Sequence, residues 1–203
     1  MIDRIMRFLF PPKCVLCGNF LAKSQTDLCH DCRSNVQNFT KIKFKPSFVA
    51  HWTGLWYYKD NVRNSILRFK FSNKRGYAAA YARMLAIKLE KDGFDSFDVL
   101  TWVPVGFLRR LRRGYDQGQL LAEALGQELG CMCVRTLKKI RNTPPQSGIG
   151  DAARRRANVL GKTTSEPSVV ATKFDGASHW FVLPHELFVV KNVPGANSFD
   201  IPL

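Results

Sequence analysis

Apolar positions recur at helical spacing in several stretches of this chain. Asn61–Phe71 (NVRNSILRFKF) places Val62, Ile66, Leu67 and Phe69 as a short amphipathic helix. Tyr77–Lys91 is alanine-rich, carries Met84, Leu85 and Leu89 on one side and meets a stop at Gly93. Asp116–Leu129 repeats the pattern with Leu120, Leu121, Ala124, Leu125 and Leu129. Between the helices lie stretches with strand character. Residues 48–58 are rich in aromatic and β-branched types, Asp98–Val105 (DVLTWVPV) is a short apolar run, and Met132–Leu137 is the next candidate. A basic turn, Ser72–Gly76, separates the first two helices. Strand and helix in alternation predict an α/β sheet with parallel strands. No apolar run approaches the roughly 20 residues of a membrane span. Met1–Phe10 has helical spacing but neither a continuous apolar core nor a small-residue cleavage site, so a short helix is expected there and not a signal peptide.

Charge changes this picture of an ordinary fold. The chain of 203 residues has 31 basic and 16 acidic side chains, a net charge of +15. That excess suggests an anionic partner: nucleic acid, a phosphorylated metabolite or a membrane surface. It is concentrated in three blocks, Arg109-Arg110-Leu111-Arg112-Arg113, Lys138-Lys139-Ile140-Arg141 and Arg154-Arg155-Arg156. A solvated face is the bland explanation for any one run; three within 50 residues, each beside a turn, weaken it.

The first block follows Asp98–Val105 directly, as Gly106–Gly114 (GFLRRLRRG). Ligands of open α/β sheets bind beyond the carboxyl ends of strands. A glycine-bounded loop with four arginines at that place predicts an anion cradle, because the planar guanidinium donates two hydrogen bonds to a phosphate at once. Gly114 leads into a helix whose first amides would add donors. Farther on, Thr143–Gly148 (TPPQSG) predicts a stiff turn, and Asp151–Asn158 a short charged helix that is either a surface excursion or a lid carrying Arg154–Arg156.

The N-terminal segment carries the most specific chemistry. Cys14-Val-Leu-Cys17 and Cys29-His-Asp-Cys32 are two CxxC pairs separated by eleven residues. Each spacing lets one tight turn aim two sulfurs at one point, and two such turns supply the tetrahedral thiolate set of a structural Zn²⁺. The alternatives are disulfides or a redox pair, which would open a helix after a strand and would not come doubled. His30, between two ligands, is expected to be a solvated neighbour. Residues 11–35 contain few large apolar side chains, so metal binding is expected to supply folding energy there. Four thiolates close the coordination shell and leave no open position for catalysis. Reduced, metal-bound thiols point to the cytoplasm. Cys131 and Cys133 are expected to be small core residues.

The doubled CxxC, followed by LRFKF (67–71), DVLTWVPV (98–105), RRLRRGYDQGQLLAEAL (109–125) and RNTPPQSGIGDAARRRANVLG (141–161), resembles the ComF family. These are competence-associated bacterial proteins with a zinc ribbon on a type I phosphoribosyltransferase-like domain. The resemblance covers residues 10–161. It implies a small four-cysteine ribbon and linker (1–45), a phosphoribosyltransferase-like parallel α/β core (46–161) and a divergent tail (162–203). It also implies a substrate site holding Arg109, Arg110, Arg112, Arg113, Gly114, Gln117, Gln146, Arg155 and Asn158. Proline is more usual than Gly106 in the family, and asparagine more usual than Asp116.

After Gly161 the resemblance breaks down. Family members continue into a strand ending in two acids, which hold the ribose of phosphoribosyl pyrophosphate, and a threonine-rich loop around its 5′-phosphate. The nearest stretch here is Leu187–Asn197 (LFVVKNVPGAN). Leu187–Val190 would be the strand, Lys191 and Asn192 would stand where the acids belong, and Pro194, Gly195, Ala196 and Asn197 would form a degenerate phosphate loop. The fold is therefore expected to be incomplete at its C-terminal end, through divergence, truncation or a frame shift. Three functions compete. One is a transferase using phosphoribosyl pyrophosphate and Mg²⁺. Another is a nucleic-acid module of DNA uptake, meeting single-stranded DNA and competence machinery proteins, with Trp52, Trp56, Tyr57 and Tyr58 as stacking candidates. The third is an inactive, incomplete product. The favoured expectation is a ComF-like protein of transformation with little or no phosphoribosyl transfer.

Overall fold

The computed structural model describes residues 11–40, 51–94, 97, 99–139, 163–165, 177–183 and 187–193. The helix predicted for residues 1–10, the turn at 143–148, the lid at 151–158 and the site candidates Gln146, Arg155, Asn158, Gly195, Ala196 and Asn197 lie outside them.

The three periodic helices form where their apolar spacing places them. After a short α1 (His30–Asn35) in the cysteine segment come α2 (Asp60–Phe71) and α3 (Tyr77–Lys91). The strand β2 (Val99–Trp102) leads through α4 (Phe107–Arg113) and α5 (Gln117–Leu129) to β3 (Met132–Cys133). Helices α3 and α5 pack on each other and on β2. Ala82, Leu85 and Leu89 from α3, Leu100 and Trp102 from β2, and Ala122 and Leu125 from α5 form one buried cluster. Cys131 and Cys133 border this cluster half-buried, as expected of small core residues. Burial pushes both thiols up, that of Cys133 to about 11 with further contributions from Glu123 and Cys131.

The sheet is mixed where parallel strands were expected. β1 is the pair His51–Trp52, and the C-terminal part contributes β6 (Ala177–Leu183) and β7 (Leu187–Val193). The order is β1-β6-β7-β2-β3. The outer pairs β1/β6 and β2/β3 are parallel, whereas β7 runs antiparallel to both β6 and β2. Connection length explains the difference. The path from β2 to β3 contains two helices and can make a parallel crossover, but three residues separate β6 from β7, which suffices only for a hairpin. The strand expected at Met132–Leu137 divides into β3 and β4 (Leu137–Lys139), and β4 pairs with β5 (Thr163–Ser165) in a separate ribbon. Of the described residues of the stretch 48–58, which are 51–58, His51–Trp52 alone is strand. The end of that stretch pairs instead with the linker, through Phe39 N–H to the Leu55 carbonyl, Tyr57 N–H to the Gln37 carbonyl and a bridge between Asn38 and Trp56.

Tyr81 of α3 is buried, and its hydroxyl lies 2.6 Å from Ser65 Oγ. Burial pushes this phenol up to about 12, against a smaller downward pull from the Ser65 hydrogen bond. Because the folded value lies above the ordinary 10, the stability it contributes is complete below pH 10 and is lost as pH rises towards 12. The expected loss is roughly 3 kcal/mol. Urea unfolding at pH 9 and pH 12 checks this, and Tyr81→Phe should remove the excess alkaline loss.

Candidate functional site

The cysteine segment is built from two tight turns. In the first, Gly18 takes a left-handed conformation (φ +85°), its N–H donates to the Cys14 carbonyl, and Cys14 N–H donates to the Asn19 carbonyl. A bridge between Lys13 and Phe20 closes this knuckle. In the second, Cys29 caps α1, its sulfur accepting from Cys32 N–H at 3.5 Å. A backbone bond from Val15 N–H to the Asp27 carbonyl joins the two.

The turns bring Cys14, Cys17, Cys29 and Cys32 together, with all four Sγ atoms within 4.8 Å of one another. Cys17 and Cys29 Sγ are 3.7 Å apart. Zn–S bonds of about 2.3 Å put tetrahedral sulfurs about 3.8 Å apart, so the donor set fits Zn²⁺. Burial pushes the Cys14 thiol up, but amide hydrogen bonds from Cys17, Cys29 and Leu16 more than offset it and lower the group to about 7. Burial and the neighbouring sulfurs push Cys32 well up, and Cys17 in the same direction. Thiolates this close repel one another; a divalent cation among them removes that repulsion and displaces their protons. His30 stays outside the set, its side chain 83% exposed and its Nδ1 3.9 Å from Asp31.

The ribbon shares its core with the helices. Cys14, Val15, Leu16, Leu28 and Cys32 belong to one buried cluster with Val62 and Phe69 of α2, Ala78, Ala80 and Tyr81 of α3, and Tyr115. Polar bonds fix this docking. Ser65 Oγ and Arg68 Nη2 donate to the Val15 carbonyl, Arg68 also reaches the Leu16 carbonyl, and the Arg83 guanidinium pairs with Asp27 through both of its oxygens. Periodicity does not show these contacts. The available signal is Ser65 and Arg68, three residues apart on a helix whose buried face holds Val62 and Phe69.

The glycine-bounded basic segment is a helix where a loop was expected. Gly106 opens α4 and Gly114 closes it in the left-handed conformation (φ +75°). None of its residues is buried. Its four arginines share one short element, but they have different surroundings. Arg110 and Arg112 are exposed; Arg109 and Arg113 are half-buried. Arg113 lies over the Phe71 ring and donates to Gln117 Oε1 at 2.7 Å. Gln117 is 1% exposed and is used as this brace inside the fold. The Gly114 carbonyl accepts from Arg75 Nη2 at 3.1 Å, Arg75 stacks on the Tyr115 ring, and the Tyr115 hydroxyl donates to the Phe69 carbonyl.

Asp116 changes the expected role of the helix that follows. One of its oxygens accepts from Gly118 and Gln119 N–H, the first amides of α5, and the other accepts from Val105 N–H at 2.9 Å. Two of the amides expected to add donors for a phosphate, those of Gly118 and Gln119, are therefore occupied by the protein's own carboxylate. Lys191 and Asn192 also differ from expectation. The strand expected to end at Val190 continues to Val193, so both lie within it, opposite His179 and Ser178 of β6. The antiparallel hairpin partner carries the strand past Val190. Of the stacking candidates, Trp56 is half-buried against Tyr81 and Tyr57 packs on Phe39, whereas Tyr58 is exposed. For Trp52 the backbone alone is described, in β1.

Residues 5–42 match the double zinc ribbon domain family. That span holds four cysteines, the ligand set of one ion. The chain is 23% identical over 175 residues to Competence protein F of Haemophilus influenzae, a similarity covering 74% of this chain and 76% of that protein. No solved structure matches. Among the described residues no helix is long and apolar enough to cross a membrane. The gathered thiols, the ribbon match and the similarity that continues well beyond the ribbon support a ComF-like protein.

Proposed function

We propose that this ComF-like protein serves DNA uptake in natural transformation, handling single-stranded DNA on the cytoplasmic side together with other competence proteins. The observation that carries this reading is α4, which sets four arginines on one short helix following the sheet strand β2, in a chain of net charge +15. Guanidinium groups meet backbone phosphates without reading sequence, so binding should be sequence-tolerant and strongly salt-dependent. Similarity to a protein named for competence supplies the process. A type I phosphoribosyltransferase-like ancestry for the α/β part belongs to the same proposal.

Phosphoribosyl transfer is not part of it. That reaction would need carboxylates on the ribose hydroxyls and Mg²⁺ on the pyrophosphate. Lys191 offers donors only and Asn192 carries no charge, so the two positions that stand where the acids belong supply no carboxylate. Calorimetry with phosphoribosyl pyrophosphate and Mg²⁺ should register no micromolar binding; such binding, lost on Lys191→Ala, would restore the transferase reading.

Fluorescence anisotropy with labelled single strands, in salt from 50 to 200 mM, tests the DNA reading. Replacing Arg109, Arg110, Arg112 and Arg113 with alanine should lower the slope of log affinity against log salt by about 0.7 for each phosphate no longer neutralised, at least about 1.4 from the exposed Arg110 and Arg112. Unchanged affinity and slope would remove α4 as the site.

A further inference from the structure

The arginines are only half of α4. Phe107, Leu108 and Leu111 are 73%, 60% and 71% exposed. Residues 107 and 111 are four apart and 108 and 111 three apart, so the three side chains share one helix face. Arg110 and Arg112, both exposed, flank that face on either side. A seven-residue helix gains little from intrinsic propensity, and this one buries no residue in the fold. Its apolar face is left towards solvent, and no acidic side chain occurs from Val99 to Tyr115.

We infer that α4 seats this protein on an anionic lipid surface. Phe107, Leu108 and Leu111 enter the boundary between headgroups and acyl chains, and Arg110 and Arg112 lie beside them among the phosphates. An interfacial helix has this composition: a compact apolar face, basic flanks and no acids. Charge decides against a second copy as occupant, because apposing two α4 faces would bring together the flanking Arg110 and Arg112 of both copies, and α4 holds no acidic side chain to meet them. Single-stranded DNA is also a poorer occupant of this face, since of the three side chains Phe107 alone offers a ring for a base to stack on. The inference shares Arg110 and Arg112 with the DNA reading and differs from it in requiring the apolar face. Its contacts are the apolar face and its two flanking arginines, leaving Arg109 and Arg113 on the side towards the fold.

Co-sedimentation of the zinc-loaded full chain with vesicles tests it. Vesicles of phosphatidylcholine with 30% phosphatidylserine should bind the protein at least ten-fold more tightly than phosphatidylcholine alone. Leu108→Ser with Leu111→Ser should weaken binding to anionic vesicles by about ten-fold or more, since both side chains lose most of their apolar area. Arg110→Ala with Arg112→Ala should weaken it by about five-fold per arginine. The conservative pair Leu108→Met with Leu111→Met should bind as the wild type does, and melting curves should be unchanged in all three variants because these side chains are exposed. Equal binding to neutral and anionic vesicles would overturn the inference, as would serine variants that bind like the wild type. So would serine variants that turn a dimer into a monomer, or lose affinity for single-stranded DNA, while vesicle binding is unaltered.

Discussion

Cys32→Ser is expected to abolish stoichiometric zinc binding and to remove the cooperative melting of the ribbon together with α2 and α3. Cys32 is buried, belongs to the four-sulfur cluster and lies in the same core as Val62, Phe69 and Tyr81. Apparent zinc affinities of such sites amount to about 10–16 kcal/mol, comparable with the whole stability of a domain at about 5–15 kcal/mol. Losing the ion frees the two knuckles, and the carbonyls of Val15 and Leu16 then leave Ser65 and Arg68. Elemental analysis should find about one zinc per wild-type chain and less than half an equivalent in the variant, whose thermal transition at 222 nm should broaden and fall by more than 10 °C. Affinity should also weaken as pH falls, because each thiolate must be freed of its proton before it can bind and burial favours the neutral form of Cys17 and Cys32. A variant that loses its metal but keeps the wild-type transition of α2 and α3 would make the ribbon an appendage whose shared core contributes no stability.

Asp116→Ala should cost about 2–4 kcal/mol. Loss of a helix cap typically costs about 1 kcal/mol. The Val105 N–H, left without its acceptor at the junction of β2 and α4, adds about 1–3 kcal/mol. Asp116→Asn is the informative companion. Its amide keeps one acceptor, for either the α5 amides or Val105, but turns a donor towards the other, so about 1–2 kcal/mol should still be lost. Urea unfolding measures both. A loss below about 0.5 kcal/mol for alanine would mean that water replaces the carboxylate at all three amides. The bond from Arg113 to Gln117 would then need another explanation, since Asp116, Gln117, Tyr115 and Gly114 otherwise do structural work and leave ligand binding to α4.

Asp116 also shows where reading the sequence runs out. Its place just ahead of Leu120, Leu121 and Leu125 marks a helix start, and α5 begins there because capping is settled within one turn. That the same carboxylate holds Val105, eleven residues back, depends on how β2 and α5 come together. The glycine-bounded basic stretch reads as a loop because its seven residues between two glycines are dominated by arginine and hold one short apolar turn; α4 is a helix that presents that apolar side to solvent.

By itself the sequence determined the CxxC ligand set, the three periodic helices and the concentration of positive charge. Each depends on residues within a few positions of one another, through ligand spacing, the 3.6-residue repeat or composition. The tertiary structure alone decided the sheet's mixed direction, the strand that takes in Lys191 and Asn192, and the docking of the ribbon through Arg68, more than 50 residues from Val15. Those features arise when distant segments compete for the same backbone partners and the same buried space, and no local pattern records which of them prevails.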